Sequence, residues 1–113
     1  MSINFVLCHW DGKVEEESYD ESAAFTVFLM DLLYDPKARH STEFILLKYV
    51  DEYELVRFNA RQMPDLIADL ERLKSLVPSG RRHDEMVLTI DRFIRLAERC
   101  QSDRGLFLDF IGD

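Results

Sequence analysis

Cysteine, glycine and proline are scarce in this chain, acid outnumbers base, and no long apolar run occurs. The two cysteines, Cys8 and Cys100, stand near opposite ends, which excludes the dense framework of a small disulfide-stapled secreted domain. Both thiols are expected to be reduced, with the cytoplasm as the expected compartment. The opening Met1-Ser2-Ile3-Asn4-Phe5 has neither a basic stretch nor a small-residue cleavage site, so it does not read as a signal peptide. Four glycines lie apart at positions 12, 80, 105 and 112, so no glycine loop is available to cradle a phosphate. No Pro/Gly/Ser tract is long enough to divide the chain, and residues 1–113 read as a single domain. No apolar run approaches the roughly 20 residues that span a bilayer. With 14 Lys+Arg against 22 Asp+Glu the net charge is −8. That field repels nucleic acid and anionic membranes, so neither is an expected partner.

What is present is the material of a folded core. Hydrophobic residues make up 47% and charged residues 32% of the chain, and eight Phe, four Tyr and one Trp supply bulk. A chain of this size buries roughly two-thirds of its unfolded surface, enough for one core without staples. The charge is uneven. Residues 1–56 hold 12 Asp+Glu against 4 Lys+Arg, whereas residues 57–113 hold 10 of each, so the whole excess sits in the first half.

Along the chain, Ile3 to His9 alternates and is rich in β-branched and aromatic residues, which predicts a strand. Trp10-Asp11-Gly12-Lys13 supplies turn residues, and the acidic run Glu15-Glu16-Glu17 follows. Ser18-Tyr19-Asp20-Glu21 has the form of a capping box, and the stretch Ala23 to Tyr34 is polar only at Thr26 and Asp31. These features predict a helix that is apolar nearly all round, hence central and buried, and stopped by Asp35-Pro36. Thr42 to Val50 and Tyr53 to Phe58 flank Asp51-Glu52 and read as an antiparallel hairpin, with a helix as the alternative for the first segment because the turn lacks Gly or Asn. A second helix starts near Pro64 with the stripe Leu66, Ile67, Leu70, Leu73 and Val77, and Pro78-Ser79-Gly80 breaks it. A third runs from Arg82 to Arg99 with Met86, Val87, Ile90, Phe93, Ile94 and Ala97 on one face. Leu106 to Ile111 closes as a short strand or an apolar tail. The expected fold class is α+β, in the order β-α-β-β-α-α-β: a small, mainly antiparallel sheet with three helices layered on one face.

Residue types that carry chemistry are present without the spacing that chemistry needs. His9, His40 and His83 are isolated, and neither a His-x-x-x-His nor a Cys-x-x-Cys pair occurs, so no metal ligand set is expected. Cys8 and His9 are strand neighbours and point to opposite faces. Cys100 follows Arg92, Arg95 and Arg99, whose charge favours a thiolate, but it sits at a helix C-terminus, where the dipole opposes one. The Gly-x-Ser-x-Gly nucleophile signature is missing. Asp31 is the only acid embedded in a strongly apolar helix, where a satisfied or solvent-reaching carboxylate is the ordinary role. Arg81-Arg82-His83 is a compact basic cluster without aromatic interleaving. No catalytic residue and no cofactor is expected.

The acidic segments are the informative feature. Trp10, Asp11, Glu15, Glu16, Glu17, Tyr19 and Asp20 form one group, and Asp51, Glu52, Tyr53 and Glu54 the other. Rings supply buried anchor area at an interface and charges supply steering, so these are the candidate partner-binding residues, opposite a basic protein. The leading functional class is a non-catalytic acidic protein-binding module. In size, charge, compactness and lack of catalytic motifs the profile resembles that of immunity proteins, small acidic bacterial domains that neutralise a basic toxin by covering its active site. The alternatives are a structural or regulatory subunit, homodimeric through residues 82–99 and 106–111, and a small enzyme or ligand-binding domain with a pocket near Asp31, His9 or His40.

Overall fold

The computed structural model describes residues 2–20, 22–34, 43–51 and 53–112. The expected helix stop at Asp35-Pro36, and Thr42, lie outside them. The elements are β1 (Asn4–His9), β2 (Val14–Tyr19), α1 (Ala24–Tyr34), β3 (Leu55–Asn59), α2 (Met63–Ser75), α3 (His83–Gln101) and β4 (Leu106–Ile111). The strands form one antiparallel sheet in the order β2-β1-β4-β3. The class is the expected one, α+β with three helices on one sheet face.

Two segments exchange the roles expected of them. The run Glu15-Glu16-Glu17 belongs to a strand: β2 pairs along β1, with Asn4 opposite Tyr19 and Val6 opposite Glu17. The turn Trp10–Lys13 makes this hairpin possible. Gly12 adopts φ 94°, and the His9 N–H donates to the Lys13 carbonyl at 2.8 Å. The residues expected as the first hairpin strand, up to Val50, instead form an irregular segment with a short 3-10 turn at Leu47–Tyr49. The cause is Asp69 of α2, whose buried carboxylate accepts the N–H groups of Ile45, Leu46 and Leu47 at 2.7–3.0 Å. Three successive donors held by one carboxylate cannot join a strand ladder. Phe44, Leu46, Leu47 and Val50 thereby enter the core from a loop.

The start of α1 also differs from the expected Ser18 capping box, because Ser18 is inside β2. Asp20 takes the capping role: its carboxylate accepts from the N–H groups of Phe25 and Thr26 and from the Thr26 hydroxyl at 2.7–3.2 Å. That hydroxyl in turn accepts the Ile3 N–H at 2.8 Å, tying the helix to the chain just before β1. Ala23, at φ 60°, makes the bend between Asp20 and the helix. Although α1 is apolar nearly all round it is not central: Phe25, Leu29 and Leu33 are buried, while Val27 and Tyr34 are exposed. The central helix is α3, whose stripe of Met86, Ile90, Phe93, Ile94, Leu96 and Ala97 is buried. Phe93 stacks on Phe5 of β1 at 3.4 Å between ring centroids and meets Phe25 edge-on at 4.9 Å. Phe110 of β4 closes on Phe5 at 3.8 Å, so one aromatic cluster joins sheet, α1 and α3. Lys74 bridges α2 to Asp91 of α3 at 2.9 Å.

Candidate functional site

Side chains alternate across a sheet, so the register sorts the strand residues into two faces. Phe5, Leu7, Val56, Phe58, Leu108 and Phe110 point to the helices. The other face consists of three cross-strand rows: Tyr19, Asn4, Ile111 and Leu55; then Glu17, Val6, Asp109 and Arg57; then Val14, Cys8, Phe107 and Asn59. No described helix covers it.

At the centre of this open face Asp109 is buried, and Arg57 from the edge strand β3 grips it with two hydrogen bonds, Nε to Oδ1 at 2.7 Å and Nη2 to Oδ2 at 2.9 Å. Planar two-point contact is the strongest geometry for such a pair. The hydrogen bond to Asp109 raises the Arg57 pKa, so the guanidinium stays charged. Its plane also lies over the Phe107 ring, 5.1 Å from the centroid. Cys8 lies against the pair, its Sγ 3.5 Å from Asp109 Oδ2 and from Arg57 Nη2. Burial, and then the Asp109 charge, push the Cys8 thiol up, away from the thiolate. Cys100 is buried on the helix side and is pushed up to about 11, again chiefly by burial. Burial and neighbouring acids hold both groups as thiols, and neither is poised as a nucleophile.

The sequence-derived binding residues divide into distinct places. Trp10 sits at the tip of the β1–β2 hairpin and is 80% exposed. Asp11 beside it accepts the Lys13 N–H at 3.0 Å and shapes the turn. Glu15 accepts from His9 Nε2 at 2.5 Å, which lowers the Glu15 pKa. Glu16 faces the helix layer and pairs with Arg99 of α3 at 2.5 Å. Glu17 faces the open side and accepts from the Tyr19 hydroxyl, which raises the phenol pKa. Asp20 is buried as the α1 cap, so its carboxylate is used inside the fold. Asp51 accepts the Tyr53 N–H at 2.8 Å, Tyr53 and Glu54 are exposed, and Glu52 lies outside the described residues. The two acidic groups sit at opposite sheet edges, since β2 and β3 are the outer strands. The three aspartates buried among the described residues, Asp20, Asp69 and Asp109, each hold structure.

Of the other residues weighed for chemistry, Asp31 is exposed on the outer side of α1, at the rim of a shallow groove with Val27, Phe28, Arg82 and Met86. His9 is engaged by Glu15, His83 lies beside Asp84 on the surface, and His40 falls outside the described residues. Among the described residues, no group of three His, Cys, Asp or Glu side chains could hold a metal ion. No described helix is long and apolar enough to cross a membrane. The surfaces considered for a homodimer are largely used within the chain: the apolar stripe of α3 is in the core, and β4 is a central strand paired on both sides. Sequence reasoning did not single out the Arg57–Asp109 pair. Asp109 stands alone among apolar residues of a strand, and that lone acid is the signal that could have marked it.

No family model, curated protein or solved structure matches this chain.

Proposed function

We propose that the chain is a non-catalytic protein-binding module that captures a basic partner through its β1–β2 hairpin. The observation that carries this reading is Trp10, a large apolar ring 80% exposed at a hairpin tip, with Asp11, Glu15 and Glu17 close by in sequence on that hairpin. An exposed tryptophan of this kind is the residue type that most often anchors an interface, and a rim of carboxylates steers positive charge toward it. Glu16 adds less to the field, because Arg99 neutralises it. Tyr19, half-exposed on the same strand, extends the contact toward the open sheet face. The concrete form of the proposal is immunity-type action, in which the hairpin covers the active site of a basic toxin.

The test is capture of partners from the native host on immobilised protein, with Trp10→Ala and Glu15→Gln/Glu17→Gln run in parallel. Trp10→Ala is expected to weaken binding of the captured partner by about 2 kcal/mol, roughly thirty-fold. The double glutamine variant is expected to slow association and flatten its salt dependence. Binding by Trp10→Ala at wild-type strength would remove the proposal.

A further inference from the structure

The acidic hairpin carries a second surface of opposite preference. β2 is an outer strand, so one side of its backbone pairs with β1 and the other side has no strand beside it among the described residues. A groove of about 320 Å³ runs along that free edge, with Glu16, Glu17, Ser18 and Tyr19 on one wall and Arg92 and Arg95 of α3 on the other. A smaller cavity of about 130 Å³ continues past Tyr19 and Arg92 to Glu85, Leu88 and Thr89. Arg92 and Arg95 are exposed and form no ion pair among the described residues, whereas Arg99, one turn on, is held by Glu16. The helix wall of the groove therefore presents two guanidiniums without an ion-pair partner among the described residues, while Glu16, the acid of β2 that faces the helices, is paired with Arg99.

We infer that the free edge of β2 takes an extended segment of a partner protein as a fifth strand, with carboxylates at the alternate positions that face Arg92 and Arg95. Backbone pairing gives such an addition its affinity and alternate side chains give it specificity. The register of β2 against β1 shifts at Glu15, so its regular edge is residues 16–19, about 13 Å at roughly 3.3 Å per residue, matching a partner segment of similar length. Its intervening positions emerge on the open face beside Glu17 and Tyr19, where lysine or arginine is the favoured cross-strand neighbour. A second copy of the chain is not the occupant. Antiparallel pairing of two β2 edges sets glutamates of the run Glu15-Glu16-Glu17 against one another, and like charges directly opposite are destabilising. The same run thus protects the edge from itself while the arginines select an acidic strand. The inference goes beyond the Trp10 surface, since it reads backbone and negative charge rather than positive charge.

The test is titration of the isotope-labelled full chain with a capped synthetic peptide in which Glu alternates with Lys and Thr, followed by amide NMR. Shifts are expected along residues 14–19 and around Arg92 and Arg95. Arg92→Glu/Arg95→Glu, both at exposed positions, is expected to keep the native spectrum and weaken peptide binding about tenfold or more. N-methylating the peptide on one set of alternate residues is expected to abolish binding, while methylation of the other set spares it. Trp10→Ala is expected to bind the peptide unchanged, which separates this inference from the hairpin-tip reading. Absent shifts at millimolar peptide, shifts centred elsewhere, or equal binding of a peptide with Lys in place of Glu would each overturn it. Unchanged affinity of the double-arginine variant would do the same.

Discussion

The two faces of the sheet come from alternate residues of the same strands, yet different forces hold them. The helix side is an aromatic cluster of Phe5, Phe25, Phe93 and Phe110, with no charge among them and each ring fully buried. Among the described residues no helix covers the open side, and there the Arg57 guanidinium lies against Asp109, Phe107 and Cys8. One face is closed by a second layer; on the other the buried Asp109 is matched by the charge of a single long side chain. A sheet face that no described helix covers can therefore bury an aspartate to 4% exposure, given a neighbouring strand that supplies a long cation in register. Arg57 and Asp109 are direct cross-strand partners, which is what makes the grip possible.

Substitutions on both sides probe this contrast, and the largest effect belongs to the helix side. Phe93→Ala removes the ring that joins α3 to both Phe5 and Phe25, and is expected to cost about 3–5 kcal/mol in denaturant unfolding. Phe107→Ala, on the half-buried open side, should cost distinctly less; an equal loss would mean the open face is as tightly packed as the core.

An intermediate effect is expected at the ion pair. Asp109→Ala leaves Arg57 without its partner, but about a third of the Arg57 side chain reaches solvent, so a loss of about 2 kcal/mol, below the fully buried range, is expected. Replacing both residues with leucine should recover much of that loss, because desolvation of the two charges then disappears as well. If the double variant is as unstable as the single one, the pair contributes more than mutual compensation.

The smallest effect is a pH response of the hairpin. Hydrogen bonding to His9 holds the Glu15 pKa below its ordinary 4.5. Its contribution is therefore fully present above pH 4.5 and fades as the pH falls through the lower folded-state value. Trp10 fluorescence is expected to change over that acid window, and Glu15→Gln should remove the change while leaving the core transition in place.

Much of the fold was legible in the sequence, and the parts that were not share a cause. The 3.6-residue stripe of α3 and the proline start of α2 marked those helices to within two residues at each end. Leu106–Ile111 read as a strand because its apolar residues are nearly continuous, as suits a central strand. β2 was not legible, since Glu15, Glu16 and Glu17 carry no apolar alternation and an outer strand can be half-polar at little cost. The segment ending at Val50 looked like a strand because it is apolar, but Asp69 lies some two dozen residues along the chain and draws three of its N–H groups away. Of the site, the exposed Trp10 and its acidic neighbours were visible as residues, whereas the place of Arg92 and Arg95 across a groove from β2 was not.

The sequence by itself determined the class of fold, the charge asymmetry, the two long helices and the strands that are apolar enough to be buried. These are local or compositional properties, carried by periodicity and by the count of acid and base. Only the tertiary structure decided that the acidic run is an outer strand, that Asp20, Asp69 and Asp109 are spent inside the fold, and that Arg92 and Arg95 overhang an open edge. Each of those depends on which distant backbone or side chain arrives to satisfy a polar group, and that is set by packing rather than by any single stretch of residues.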